Sequence, residues 1–307
     1  MRLSYLAILT SCFIANVAYS EQPDNKAISA AEKSASSDSL LEERVEDESK
    51  VIDNPFVIMP YKANYLLPVT YNPHPNDKPF KKDSAYADDL DKLEAKFQIS
   101  FKMPLAIDLI DDGDLYFAYT NQSWWQVYNR DNSSPFRETV HEPDIFMIFP
   151  NDWKIGGFTN SFWQVGAVHQ SNGRSGSLSR SWNRLYGSML FDKGPLAINT
   201  KVWWRIPESK KKNPTDATGD DNPNITHYLG NFEVTGLYGV GEQRYTFMFR
   251  DNLEKHNRGA LQLTWSYPIH NNLRAYVQYF NGYGESLIDY DVHTQRIGVG
   301  IALNDLL

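Results

Sequence analysis

Three side chains whose types suit nucleophilic catalysis lie close together in the chain: His169, Ser171 and Asn183. If this stretch is an antiparallel hairpin centred on Gly176, residue 169 lies opposite residue 183. Side chains alternate between faces along a strand, so Ser171 shares the face of His169, and Asn183 joins them from the neighbouring strand. A hydroxyl, an imidazole and an amide on one surface are a candidate nucleophile, base and orienting group.

The same register predicts that these three side chains lie on an apolar face. Their neighbours on that face are Trp163, Val165, Ala167, Leu185, Met189 and Phe191. The opposite face of the hairpin is polar, with Gln164, Arg184 and Ser188. In a soluble protein the apolar face would be buried, whereas in a membrane barrel it would face lipid.

Apolar and polar residues alternate with a period of two from residue 56 to the carboxyl end. The first segment, for example, alternates Tyr65, Leu67 and Val69 with Asn64 and Thr70. About twelve such segments of roughly ten residues predict an all-β fold, namely a twelve-stranded antiparallel transmembrane β-barrel of the outer membrane. The 18 tyrosines and 8 tryptophans suit the aromatic girdles of such a barrel.

The lengths of the predicted loops favour this topology. With a periplasmic amino terminus, connections from odd to even strands should be long and external, and the others short. Four polar connections occupy the external positions: 72–94, 207–226, 250–258 and 281–294. Two even-to-odd turns are tight, at 239–241 and 270–271, but the connection at 104–113 is longer than the rule expects. The hairpin that carries His169 has an external loop, so its site is predicted to lie toward the outer leaflet.

The amino-terminal region predicts secretion. Residues 1–20 contain a basic residue, an apolar stretch and a small-x-small pattern, which together are typical of a signal peptide. The only cysteine, Cys12, lies within it, so the mature chain is expected to contain no disulfide. Residues 21–55 are acidic and poor in aromatics, which predicts a disordered or loosely helical arm before a barrel formed by residues 56–307.

The charge of the chain argues against one class of partner. Its formal net charge of -8 at pH 7 does not favour binding to nucleic acid. The mean hydropathy of -0.51 by itself suggests a soluble protein, but the aromatic content and the alternation outweigh that indication.

The run from His169 to Arg174, followed by Ser179 to Arg184, resembles the signature of bacterial outer-membrane phospholipase A. The similarity extends through 123–126, 133–139, 220–223, 282–290, 296–300 and 303–306. It covers nearly all of residues 56–307. The resemblance implies a calcium-dependent hydrolase of phospholipid acyl esters at the A1 and A2 positions and in lysophospholipids, active as a homodimer.

The resemblance also assigns roles to individual residues. Carried over position by position, it makes Ser171 the nucleophile, His169 the general base and Asn183 the group that orients the imidazole. Backbone amides near Gly173, together with the calcium ion, would stabilise the oxyanion of the tetrahedral intermediate.

The calcium ligands implied by the resemblance come from both subunits of the dimer. They are the Ser179 side chain and the Arg174 carbonyl of one subunit, the Ser133 carbonyl of the other, and water molecules. Oxygen ligands suit this hard cation. The family pattern has a carboxylate where this chain has Gly176, which puts in doubt a second calcium site shared with Asp221.

Residues outside this signature receive more general interpretations. Asn121 lies on the predicted outward face, where an unpartnered amide is costly, so we expect it to hydrogen-bond its symmetry mate in a dimer. Residues 210–212 are three lysines of an external loop and are interpreted as solvated. The histidines other than His169 lack the spacing of metal ligands and are interpreted as surface or loop residues: 74, 141, 227, 256, 270 and 293.

Two other classes of function remain open from the residues alone. If the protein were a passive channel or structural barrel without enzymatic activity, the Ser171→Ala substitution would leave its function unchanged. Another outer-membrane hydrolase would be a lipid A deacylase, which differs in substrate, or an omptin-like protease, which needs paired aspartates and histidines at the barrel mouth. For the phospholipase, the outward site leads to the hypothesis of a resting monomer that dimerises and binds calcium when phospholipid reaches the outer leaflet.

Overall fold

The computed structural model describes residues 40–304, except residues 53, 55, 82–89, 132, 214, 215 and 217. The predicted signal peptide and residues 21–39 of the predicted arm lie outside the described residues. The fold below belongs to the compact unit formed by residues 38–307. Within the described ranges, no helix is long and apolar enough to cross a membrane.

Long strands make up most of the structure. They are β2 (Asn64–Tyr71), β3 (Leu93–Ile110), β4 (Gly113–Trp125), β5 (Phe136–Ile155), β6 (Phe158–Ser171), β7 (Ser181–Lys193), β8 (Leu196–Arg205), β9 (Phe232–Val240), β10 (Gln243–Asp251), β11 (Gly259–His270), β12 (Leu273–Tyr283) and β13 (His293–Asn304). A two-residue strand, β1 (Met59–Pro60), precedes them. The helices are α1 (Leu40–Ser49) and α2 (Thr226–Leu229), and short 3₁₀ turns lie at Lys78–Phe80 and Gly176–Leu178.

The strands form a closed antiparallel sheet. Each of β2 to β12 pairs with the strand that follows it, and β13 pairs with β2. Closure gives the backbone N–H and C=O groups of the wall partners in neighbouring strands, which is the condition for crossing a bilayer. The predicted twelve-stranded antiparallel barrel is confirmed.

The two faces of the wall differ as the alternation predicted. At outward positions of β6 and β7, Trp163, Val165, Leu185 and Met189 are between 37% and 47% exposed. Of the inward side chains between them, Tyr186 and Ser188 are buried and Gln164 is partly buried. An apolar outer surface of this extent suits contact with lipid rather than water.

The alternation predicted for the first strand is wrong at Tyr65 and Leu67 and right at Val69 and Thr70. Tyr65 and Leu67 are buried inside the barrel, whereas Leu66 and Val69 are exposed on its outer wall. The pairing register of β2 with β3 shifts between Leu67 and Thr70. Such a bulge changes which residues face outward, and a strict period of two does not reveal it.

The connection at 104–113, expected to be a long loop, is mostly strand. Strand β3 continues to Ile110 and β4 begins at Gly113, so only Asp111 and Asp112 connect them. Their φ angles of 47° and 58° are those of a two-residue type I′ turn, which aspartate tolerates. Since β2 is the first strand of the barrel, β3 and β4 are its second and third strands. Their connection is therefore even-to-odd in the loop rule, and it is short as the rule expects.

Residues 40–49 of the predicted arm form a helix rather than a disordered segment. Leu41 is buried, and Lys102 of β3 donates a hydrogen bond to Glu48 at 2.7 Å. Arg44 donates to the same carboxylate at 2.6 Å. The helical alternative of the prediction therefore applies to this segment, and the pairing of Glu48 with Lys102 is a long-range contact that composition does not show.

Buried ion pairs fill one part of the barrel interior. The charged side chains in this network are Glu94, Lys96, Arg137, Glu285, Asp289 and Arg296. Arg137 pairs with Glu94 at 3.0 Å and with Asp289 at 2.6 Å. Arg296 connects Glu94 to Glu285, at 2.7 Å and 2.8 Å. Each charge has an opposite partner, so the network satisfies groups that would otherwise be costly to bury.

We expect Arg137→Met to destabilise the barrel strongly. The substitution leaves Glu94 and Asp289 buried with less positive charge, and breaking such a pair costs about 3–5 kcal/mol. Urea unfolding of the lipid- or detergent-folded protein measures this change. Arg130→Met, at an exposed loop position, is the control and should change stability by less than about 0.5 kcal/mol. Equal stability of both variants with the parent would contradict the role given to the network.

Candidate active site

The hairpin of β6 and β7 has the register that the sequence predicted. His169 pairs with Asn183 across the ladder, and Ser171 pairs with Ser181. His169 and Ser171 are two residues apart on one strand, so both side chains lie on the outer face. The three predicted catalytic side chains therefore share one surface of the wall.

A hydrogen bond joins the imidazole to the amide. His169 Nδ1 lies 2.8 Å from Asn183 Oδ1. An amide oxygen only accepts, so Nδ1 carries the proton of this bond. In the neutral imidazole Nε2 is then unprotonated, which is the state required of a general base.

The Ser171 hydroxyl has no hydrogen-bond partner among the described side chains. Ser171 and His169 lie on the same face, but no hydrogen bond joins their side chains. Such bonds are often long without substrate and shorten when it binds. The arrangement can support nucleophilic attack once the serine rotates toward Nε2.

Asn172 shapes the turn that follows Ser171. Its side-chain oxygen accepts hydrogen bonds from the backbone N–H groups of Arg174 at 3.2 Å and Arg180 at 3.0 Å. Its amide nitrogen donates to the Leu178 carbonyl at 2.8 Å and to the Glu138 carboxylate at 3.3 Å. Asn172 is buried. One side chain thus ties both sides of the turn to each other and to β5.

Glu138 supports this turn from inside the barrel. It is fully buried and also accepts a hydrogen bond from the Ile288 backbone N–H at 3.0 Å. Arg174 extends over the same strand and donates to the carbonyls of Phe136 at 2.9 Å and Arg137 at 2.8 Å. The turn that contains Gly173, whose φ is 63°, is therefore fixed by bonds to three parts of the chain.

Asn183 has a second contact on the external side. Its amide nitrogen lies 3.5 Å from Glu208 Oε1 in the connection after β8, at the limit of a hydrogen bond. Partial burial raises the pKa of the Glu208 carboxyl, and the nearby Asp220 and Asp221 carboxylates raise it further. Glu208 is a site residue that sequence reasoning missed, because its contact depends on how an external loop folds back.

The predicted calcium ligands fit an oxygen-ligated cation. Ser179 donates a hydrogen bond to Asp221 Oδ2 at 2.8 Å, and Ser181 donates to the same atom at 3.1 Å. Ser133 has φ 56°, a left-handed conformation that is uncommon for serine. The hydroxyl of Ser179, the carbonyls of Arg174 and Ser133 and the carboxylate of Asp221 are ligands of the type that calcium prefers.

Lys211 places a positive charge in this region. It forms an ion pair with Asp221, and its side chain is only 11% exposed. The lysine was expected to be solvated, and that interpretation is wrong because the loop folds back onto β7. Gly176, with φ 64°, has open space where a side chain would stand, so no carboxylate shares Asp221 from that position.

Asn121 lies on the outer face of β4, as predicted. Its nearest partners are in its own chain: Ser123 Oγ donates to its side-chain oxygen at 3.2 Å, and its amide lies 3.4 Å from His141 Nδ1. His141, interpreted from sequence as a surface or loop residue, lies in β5 directly opposite Ser171. Only the register of β5 against β6 shows this proximity.

The interior cavity is separate from these residues. It has a volume of about 590 Å³ and is lined by charged side chains such as Lys62, Glu142 and Arg184. His169, Ser171 and Asn183 do not line it. The candidate site therefore belongs to the outer wall.

The chain is similar to one family of known proteins. The family model for phospholipase A1 matches residues 41–303. Phospholipase A1 of Proteus vulgaris is 41% identical over 255 residues, which cover 83% of this chain and 84% of the relative. The solved Salmonella typhi outer membrane phospholipase, a dimer with bound calcium, is 36% identical, with a TM-score of 0.77 over 84% of this chain and 97% of that one.

A third similar protein is a variant of a solved enzyme. The chain is also similar to a solved Escherichia coli outer membrane phospholipase A in which an active-site asparagine is replaced by alanine. That structure is 38% identical, with a TM-score of 0.75, and the match covers 83% of this chain and 95% of that one.

We expect Asn172→Ala to slow the reaction of Ser171 with a fluorophosphonate probe. Loss of the side-chain bonds lets the turn shift, and a displacement of about 1 Å can lower a rate about 100-fold. Labelling kinetics of the folded protein measure the effect, with Asn224→Ala at an exposed loop position as the control. Unchanged labelling in a variant with parental stability would mean that Asn172 does not position the nucleophile.

Replacing Lys211 with methionine should strengthen calcium binding. The change leaves Asp221 without its lysine partner, so its carboxylate becomes available to a hard cation. We expect affinity to rise about tenfold, or roughly 1.4 kcal/mol, measured by titration calorimetry or terbium luminescence of the folded protein. Lys210→Met, on the exposed neighbouring residue, should bind calcium like the parent. Identical affinity in both variants would refute competition by Lys211.

Proposed function

This chain belongs to the phospholipase A1 family of outer-membrane enzymes, and from that premise we propose that Ser171, His169 and Asn183 are its catalytic residues. The proposed activity is calcium-dependent hydrolysis of phospholipid acyl esters, at the A1 and A2 positions and in lysophospholipids. The observation that carries the proposal is the 2.8 Å bond between His169 and Asn183 on the lipid-facing wall, beside Ser171.

The reaction follows from the roles of the three side chains. Ser171 Oγ attacks the ester carbonyl carbon and its proton passes to His169 Nε2, while Asn183 holds the Nδ1–H. Backbone N–H groups around Gly173 bind the oxyanion of the tetrahedral intermediate. His169 then gives the proton to the departing lysophospholipid oxygen. Water, deprotonated by the same imidazole, releases the fatty acid from the acyl-serine.

An asparagine as the third residue suits this location. Its amide accepts from the imidazole without placing a second ionisable group near lipid, where a carboxylate would be costly. The corresponding loss is weaker electrostatic support for the imidazolium than an aspartate gives.

Calcium and a second subunit complete the proposal. The ion would be held by the Ser179 hydroxyl, the Arg174 carbonyl and the partner subunit's Ser133 carbonyl. When bound, it would supply a positive charge near the developing oxyanion. Asn121 would lie at the contact between subunits. A resting monomer would become active when phospholipid in the outer leaflet promotes dimerisation, and a constitutive active dimer found by crosslinking in intact cells would exclude this switch.

The experiment measures fatty-acid release from phospholipid–detergent micelles by the refolded protein, with calcium or with chelator. We expect calcium-dependent release that falls by at least about 1000-fold in Ser171→Ala, because removing a nucleophile abolishes the covalent route. Ser188→Ala, on the inward face of the same hairpin, is the control and should retain activity. Release that persists in Ser171→Ala would show another nucleophile, and no release from the folded parent would favour a passive barrel.

A further inference from the structure

A second histidine lies beside the proposed nucleophile. The pairing of β5 with β6 places His141 opposite Ser171, and the pairing of β5 with β4 places it opposite Asn121. Side chains of directly opposed residues lie on the same face, so His141 is on the outer wall with Ser171. Its side chain is half-buried. The proposed reaction so far gives it no role.

Two donors define the hydrogen bonding of this imidazole. Tyr119 Oη lies 2.7 Å from His141 Nδ1, and Asn121 Nδ2 lies 3.4 Å from the same atom. The amide nitrogen of Asn121 can only donate, and the phenol hydroxyl of Tyr119 is free to donate as well. Nδ1 is then the acceptor, so the ring proton of the neutral imidazole is on Nε2.

The Nε2 edge of the ring borders the turn of the active site. A Cβ placed on Gly173 would lie 3.8 Å from both Nε2 and Cδ2 of His141. Gly173 is where the proposed reaction binds the oxyanion. Among the described side chains Nε2 has no hydrogen-bond partner, so its N–H is available to a molecule that enters between Ser171 and Gly173.

We propose that His141 donates a hydrogen bond from Nε2 to an anionic oxygen of the bound substrate. This inference rests on the proposed function, since it takes Ser171 as the nucleophile. Two oxygens have the required chemistry: the oxyanion that forms at the attacked carbonyl and an oxygen of the phosphate group. A donor held in advance by Tyr119 needs little reorganisation when charge develops, which makes it effective in transition-state stabilisation.

The test compares His141→Phe and His141→Gln with the parent enzyme on two substrates, a phospholipid and a phosphate-free long-chain p-nitrophenyl ester. The phenylalanine keeps a planar ring on the lipid-facing wall and removes the donor, whereas the glutamine retains an N–H. We expect kcat/KM to fall about 10- to 100-fold in His141→Phe, which is at or below the effect of removing one oxyanion donor. In His141→Gln we expect a smaller fall in kcat/KM, because the amide N–H can still donate. His270→Phe, in an exposed periplasmic turn, is the control.

The two substrates identify which oxygen is bound. A fall in kcat on both esters assigns the bond to the oxyanion, and a rise in KM confined to the phospholipid assigns it to the phosphate. The inference is overturned if His141→Phe stays within about twofold of the parent on both substrates, or if His141→Gln is no better than His141→Phe. Ser171→Ala is assayed in parallel. If Ser171→Ala remains active, the proposed function is wrong; if it is inactive and His141→Phe is unaffected, only the role of His141 is wrong.

A structural role would give a different pattern. If His141 only packed against Tyr119, both variants would alter the stability of the folded barrel and the rate of fluorophosphonate labelling alike, without separating kcat from KM between the two esters. Electrophoretic heat-modifiability of each variant establishes that the barrel is folded before kinetics are compared. Tyr119→Phe is the complementary variant: it removes the Nδ1 partner and should produce a smaller loss than His141→Phe.

Discussion

The pairing of β13 with β2 is the constraint on which the remaining structure depends. A wall that faces lipid has no water to satisfy its backbone, so every strand needs a neighbour on both sides and the sheet must close. Closure creates one outer and one inner surface, and successive side chains along each strand point alternately to one surface and the other. His169, Ser171 and Asn183 reach the outer surface only because of this alternation. The proposed catalytic residues therefore lie on the wall of the barrel and do not line its cavity.

The inner surface combines buried apolar clusters with ion pairs and supports the site from behind. Buried ion pairs around Arg137 join β3, β5, β13 and the connection after β12. Next to them, Glu138 binds the Ile288 backbone and the side chain of Asn172. Asn172 in turn fixes the turn after Ser171. Two hydrogen-bonded residues, Glu138 and Asn172, thus connect the barrel interior with the turn beside Ser171.

The external loops determine the charge around the site. The connection between β8 and β9 brings Glu208 to Asn183 of the hairpin, and Lys211 pairs with Asp221 within that same connection. Partial burial raises the pKa of Glu208, and repulsion by the nearby carboxylates of Asp220 and Asp221 raises it further. These contacts lie beside the proposed catalytic side chains, whose positions the strands establish.

The sequence alone determined the features that depend on local periodicity. Alternation with a period of two predicted the twelve strands and the outward face. It also predicted the register of His169 with Asn183, because only some registers keep both apolar faces together and a centre at Gly176 selects one of them. It failed where pairing departs from that period, at the bulge that turns Leu66 outward and at the two-aspartate turn after Ile110.

Only the tertiary structure decided which distant residues meet. The approach of His141 to Ser171 and of Lys102 to Glu48 joins remote segments of the chain, whereas the pairing of Lys211 with Asp221 depends on how a single long loop folds. The physical reason is that side-chain alternation is a property of one strand, whereas these contacts depend on the offset between strands and on the folding of loops.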